Sequence, residues 1–187
     1  MKYNTIAVAY LSLVIVIAHA LVPQPYSWSE NTISELGAQG YDYGWIMRAG
    51  FIGFGALVFL GAAQRARKPG SAWFRELPLM IYGLGVLVSG LFSAKPFMEG
   101  VPYLEAEARL HSTMATAAGA AISIAVVLYL VTDKSVRGKM AHLMALALIV
   151  ALSALFGASP TGAGIVQRLL YMAGFAWLVY IELRPSG

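Results

Sequence analysis

The sequence predicts an all-α polytopic membrane protein: a bundle of six transmembrane helices with a short interfacial helix after the first. Three observations carry that class. Of the 187 residues, 59% are hydrophobic and 12% charged, about half the charged share of an ordinary soluble domain. Mean hydropathy is +0.69. The apolar residues fall in six continuous runs, each near the roughly 20 residues that a helix needs to cross hydrocarbon. None alternates with period two, so membrane strands are not indicated. The same composition excludes disordered and collagen-like chains. The absence of cysteine removes disulfides, thiol catalysis and cysteine metal sites.

The expected spans are residues 5–22, 44–63, 77–94, 110–131, 140–157 and 165–183. The first also resembles a signal peptide, with Lys2 ahead of the apolar run and Ala18-His19-Ala20 near its end; it is taken as a spanning helix. After it, Thr32 and Glu35 fit a capping box and Gly37 a helix stop, hence the short interfacial helix. Connections are short and no linker or low-complexity tract interrupts them, so residues 1–187 form a single domain of antiparallel neighbours.

Charge gives the orientation. Lys2, Arg65, Arg67, Lys68, Arg75, Lys134, Arg137, Lys139 and Arg184 fall at one set of helix ends, nine of the thirteen basic residues. By the excess of Lys and Arg on the inner side, both termini are expected in the cytoplasm of a multi-pass cell-membrane protein. The pI of about 9.4 is then this inside bias, with no nucleic acid implied. Tyr26, Trp28, Tyr41, Tyr43 and Trp45 crowd the outer boundary of the first two spans, and Trp73 and Tyr180 lie near the inner one, where amphipathic rings favour the headgroup layer. Small residues inside the spans, among them Gly55, Gly83 and Gly119, mark close helix packing. In the fourth span His111, Ala115, Ala118, Gly119 and Ile122 share a face that is expected to point inward.

No Asp, Glu, Lys, Arg or His falls mid-span, which argues against pumps, ion-coupled transporters and retinal proteins. The unusual residues gather instead at the outer ends. Arg48 and Arg168 lie about one turn inside the second and sixth spans, His111 opens the fourth and His19 closes the first. Charges at that depth need partners, and Glu30, Glu35, Glu99, Glu105 and Glu107 are available. Glu107, four residues before His111, is placed to hold it on a helix that extends outward. Three histidines suggest a metal, but His142 lies at the opposite end from His19 and His111, so neither metal nor cofactor is expected. A site of His19, His111 and a loop carboxylate is the residual alternative.

The run Ile33-Ser34-Glu35-Leu36-Gly37, then Gly44-Trp45 with Arg48, the histidine opening the fourth span and Arg168 in the sixth together resemble the prokaryotic membrane family described as domain of unknown function 998. The resemblance spans nearly the whole chain and implies six helices with polar residues at one mouth. A more distant likeness is to the Frag, DRAM and Sfk membrane family, which implies, by analogy alone, a link to lipids.

Two functional readings follow. In one, an outward-facing polar cleft binds a lipid or other anionic amphiphile, with Arg48, Arg168, His111, Glu35, His19 and Glu107 as ligand-binding residues, since arginine holds anionic groups bidentately. In the other, an intramembrane lipid hydrolase or transferase uses His111 as general base with Ser34 or a water as nucleophile and Glu35 nearby. A small transporter or channel is a third option. Whether the protein is an enzyme is open on the sequence, as is self-association; the expected partner is a membrane lipid or amphiphilic small molecule.

Overall fold

The computed structural model describes residues 1–158 and 161–184. Its helices are α1 (Tyr3–Leu21), α2 (Gly44–Ala66), α3 (Trp73–Leu91), α4 (Glu105–Thr132), α5 (Val136–Ala158) and α6 (Ala163–Leu183), with a 3-10 turn at Ser34–Gly37. All six are long and apolar enough to cross a membrane, and no strand occurs among the described residues. The protein is a six-helix membrane bundle. Each helix packs on its neighbours in sequence, and α6 returns to α1, so the six close into a ring. Phe51, Phe54, Val58, Ile122, Trp177 and Leu178 are among the buried side chains of its interior.

Several boundaries differ from expectation, the fifth span among them, which begins four residues early at Val136. The third span sits nearer the N-terminus because the backbone turns extended at Phe92, four residues before Pro96, which itself disfavours helix at the residue ahead of it. The fourth begins five residues early, at Glu105. Its added turn is polar and carries an i,i+4 pair between Glu105 and Arg109 at 3.8 Å.

Glycine sets the closest seam. A Cβ on Gly83 of α3 would lie 2.7 Å from both the Gly55 carbonyl oxygen and the Phe59 amide nitrogen of α2. Only glycine at this position lets the two backbones meet, the usual device where lipid gives helices no hydrophobic drive to associate. The fourth helix corrects an expectation. Its buried face runs through His111, Ala118, Ala121, Ile122, Ala125 and Tyr129, whereas Ala115 and Gly119 are exposed. A Cβ on Gly119 would meet nothing within 4 Å. His111 therefore points inward as expected, but the small-residue stripe drifts off the packed side.

The end of the bundle where α1 begins and α6 ends is fastened by paired charge. Glu76, 1% exposed, accepts a hydrogen bond from Arg65 Nε at 2.9 Å and another from the Tyr129 hydroxyl. Arg75 lies 3.5 Å from the same carboxylate and stacks 4.6 Å above the Tyr129 ring. Asp133 pairs with Arg184 and receives His142 Nε2 at 3.2 Å, while Trp177 Nε1 donates to His142 Nδ1 at 3.0 Å. Glu182 accepts the backbone amides of Asn4 and Thr5, both at 2.8 Å, and so caps α1 from α6.

The seam and the stripe give opposite outcomes for one substitution. Gly83→Leu should lower the melting temperature of the detergent-purified protein markedly, since forcing apart a packed contact costs about 1–3 kcal/mol. Gly119→Leu should leave it nearly unchanged, as followed by thermal unfolding of both variants side by side.

Candidate functional site

At the opposite end, where α2, α4 and α6 begin, the loops are knit into one cover. The first loop, between α1 and α2, docks on the start of α6. Gly164 and Ile165 donate their amides to the carbonyls of Glu30 and Ser29, each at 3.1 Å, and the Gly162 amide donates to the Glu30 carboxylate at 2.8 Å. That carboxylate occupies the N-terminus of α6, where the first amides lack helical partners and a negative charge is favoured. Gln167 reaches back from α6 to accept the Ile33 amide at 2.6 Å.

The capping box forms, around a 3-10 turn rather than a longer helix. The Thr32 amide and hydroxyl donate to Glu35 at 2.5 and 3.0 Å, and the Glu35 amide donates to the Thr32 hydroxyl at 3.2 Å. Four residues cannot make an α-helix of useful length, and Ala38 is already extended. Gln39 then clamps the loop between α3 and α4, accepting the Leu104 amide at 2.8 Å and donating to the Leu104 carbonyl at 3.1 Å.

Two arginines of this end, Arg168 and Arg48, are held by neutral oxygens. Arg168 donates through Nη1 to the carbonyls of Asn31 and Gly164, each at 2.9 Å, and through Nη2 to the Tyr26 hydroxyl at 2.8 Å. Burial raises the Tyr26 phenol above its usual pKa, and the hydrogen bond and charge of Arg168 oppose that rise. Arg48 donates through Nη1 to the Ser93 hydroxyl at 2.9 Å, and its Nε is buried with no partner. Among the described residues neither arginine has a carboxylate within ion-pair distance.

His111, 4% exposed, turns Nδ1 to the carbonyls of Ser89 and Phe92 at 2.8 and 3.0 Å. Ser89 lies in the last turn of α3 and Phe92 is the residue that ends it, where carbonyls have no helical donors, so the ring caps that helix from α4. The expected pairing with Glu107 does not form. Although α4 does extend outward, the Glu107 carboxylate instead accepts the Ser93 amide at 2.8 Å, where the chain has left α3. His111 Nε2 is buried without a partner.

The remaining expected residues are dispersed. Ser34 makes no hydrogen bond to His111, and His19 is exposed, with its ring edge-on to Tyr26 at 5.5 Å between centroids. An open depression of about 480 Å³ between the two loops is lined by Glu35, Lys95, Phe97, Glu99 and Tyr103 among others. Of the expected binding residues it includes Glu35 alone; Arg48, Arg168 and His111 lie outside it. No group of three or more His, Asp or Glu is close enough to hold a metal among the described residues. Sequence reasoning missed Ser93 and Gln167. Gln167 had a signal, being an amide beside Arg168 inside an apolar run; Ser93 looked like one hydroxyl among several.

The family model described as protein of unknown function (DUF998) matches residues 5–183. The chain belongs to that family. No curated protein and no solved structure matches it. The DUF998 match takes in all six helices and both knit loops, so Arg48, Ser93, His111 and Arg168 all lie inside it.

Removing the Gln167 acceptor should loosen the cover without unpacking the bundle. In Gln167→Leu the Ile33 amide is left buried and unpaired, a cost of about 1–3 kcal/mol. Hydrogen exchange should accelerate over residues 31–37, with the amides of α3 unchanged.

Proposed function

We propose that this membrane protein binds an anionic amphiphile, a lipid headgroup in the first instance, at the end where the first loop covers α6. One observation supports the reading above others. Arg48 and Arg168 are half-buried, fixed in place by neutral oxygens, and lack a carboxylate partner among the described residues. A guanidinium held at membrane depth without a counter-charge is costly, and an anionic headgroup supplies the missing charge through short charge-assisted hydrogen bonds. The carboxylates nearby do not fill that role because they are engaged by backbone amides. Exposed Trp28, Tyr43 and Trp45 at the same level suit the interface where such headgroups lie.

The test uses delipidated protein in detergent, titrated with phosphatidylglycerol and followed by native mass spectrometry. Arg168→Gln and Arg48→Gln should each weaken lipid retention about tenfold, the scale of one charge-assisted hydrogen bond. Arg137→Gln, exposed at the other end, should change it little. Arg168→Lys, which keeps the charge, should fall between. Equal retention in all four would overturn the reading.

The same reading places the binding end outside the cell and both termini in the cytoplasm, on the uneven distribution of Lys and Arg. Because the chain has no cysteine, single introduced cysteines report sidedness directly. Glu99→Cys should react with a membrane-impermeant maleimide in intact cells, and Lys68→Cys and Lys134→Cys only after lysis. The reverse pattern would move the site to the inner leaflet.

A further inference from the structure

The hydrogen-bond inventory around the last turn of α3 restricts what kind of headgroup fits. His111 Nδ1 faces two carbonyl oxygens, at 2.8 and 3.0 Å. A carbonyl only accepts, so Nδ1 carries the hydrogen. In the neutral ring Nε2 is then a bare lone pair, and it is buried with no donor in reach. A protonated ring would instead add a positive charge to an end where Arg48 and Arg168 already lack a carboxylate.

Arg48 presents the complementary defect. Its Nη1 is used on the Ser93 hydroxyl, and its Nε, which can only donate, is buried without an acceptor. The two side chains, from α2 and α4, bond to adjacent residues of the chain leaving α3. Ser93 follows directly on Phe92, whose carbonyl His111 takes, and the Phe51 ring, one turn along α2 from Arg48, lies 6.1 Å from the imidazole. Glu107, the remaining charged group bonded here, has an oxygen on the Ser93 amide. Buried polar atoms are almost always paired in native proteins. One orphan donor and one orphan acceptor at the end of one helix therefore describe a missing partner that both accepts and donates.

We infer that the site recognises a headgroup bearing a free hydroxyl beside its phosphodiester, a polyol-type anionic glycerolipid, with His111 Nε2 accepting the hydroxyl hydrogen and arginine holding the anionic oxygens. This rests on the anionic-amphiphile reading above and narrows it. A phosphodiester without a hydroxyl offers acceptors alone and leaves Nε2 unpaired. A fully ionised phosphate does the same. An ammonium headgroup donates to Nε2 but brings a positive charge beside two arginines that already lack a counter-charge.

The experiment compares phosphatidylglycerol with phosphatidylmethanol of identical acyl chains. The two carry the same charge and the same phosphodiester, and only the first has free hydroxyls. Wild-type protein should retain phosphatidylglycerol about tenfold more tightly, because the analogue leaves a buried acceptor unpaired. His111→Phe should abolish that preference while retention of both lipids still depends on Arg168. Equal affinities in the wild-type protein, with both still weakened by Arg168→Gln, would overturn the hydroxyl assignment alone and leave a water as the partner of Nε2. Retention of neither lipid, or retention indifferent to Arg168, would overturn both readings. The wild-type comparison decides the matter even where His111→Phe, which also uncaps α3, does not fold.

Discussion

Hydrocarbon offers no hydrogen bonds, so the backbone groups exposed where a helix ends must be satisfied by the protein itself. At the loop-covered end of this bundle that requirement governs Glu30, Glu35, Glu107 and His111. Glu30 takes the Gly162 amide before α6, Glu35 takes Thr32 in the first loop, Glu107 takes Ser93 beyond α3, and His111 supplies the hydrogen that the Ser89 and Phe92 carbonyls lack. Three carboxylates that could have neutralised arginine are thereby engaged by amides. The arginines turn in consequence to carbonyl and hydroxyl oxygens.

The end where α1 begins and α6 ends solves the same problem with opposite pairing. There Glu76 meets two arginines and a tyrosine, and Asp133 meets Arg184 and His142. These groups complete one another, and removal of any one would strand its partners in a poorly solvated site. Such a network fixes the relative positions of α2, α3, α4, α5 and α6. It also explains why the fold tolerates looser electrostatics at the far end: the register of the helices is already set where the charges are matched.

Much of the architecture was legible because the constraint that produces it is one-dimensional. Apolar runs of the required length give the six spans, and the Thr32–Glu35 pair gave the first-loop turn. What the sequence leaves open are the choices that depend on which atoms meet across the bundle. Gly83 and Gly119 look alike in sequence; one is pressed against the α2 backbone and the other faces outward, a difference fixed by helix rotation. Glu107 stands at the correct spacing for His111, yet the end of α3 presents competing groups to both of them. Glu76, adjacent to an apolar run, reads as a flanking charge until α3 is seen to begin at Trp73 and draw it inside. Arg48, Arg168 and His111 were legible as unusual residues at one level. Their mutual arrangement was not, because it is set by loop docking.

The difference between the two ends bears on where function resides. The Glu76 and Asp133 clusters match charge with charge, although Asn4 Oδ1, Arg65 Nη2 and Arg75 Nε at that end are also buried without partners. The opposite end keeps an orphan donor on Arg48, an orphan acceptor on His111 and two arginine charges without carboxylates, all tied to rigid helix ends rather than to flexible side-chain tips. Unpaired buried groups lower stability. On the reading proposed above, a fold that holds them in place rather than letting them reach solvent is arranged for a partner that arrives from outside the chain. The same reading makes that partner lipid, because lipid is what a bilayer supplies at highest local concentration, and at the depth of the first turn of α2, α4 and α6 its polar part is the headgroup.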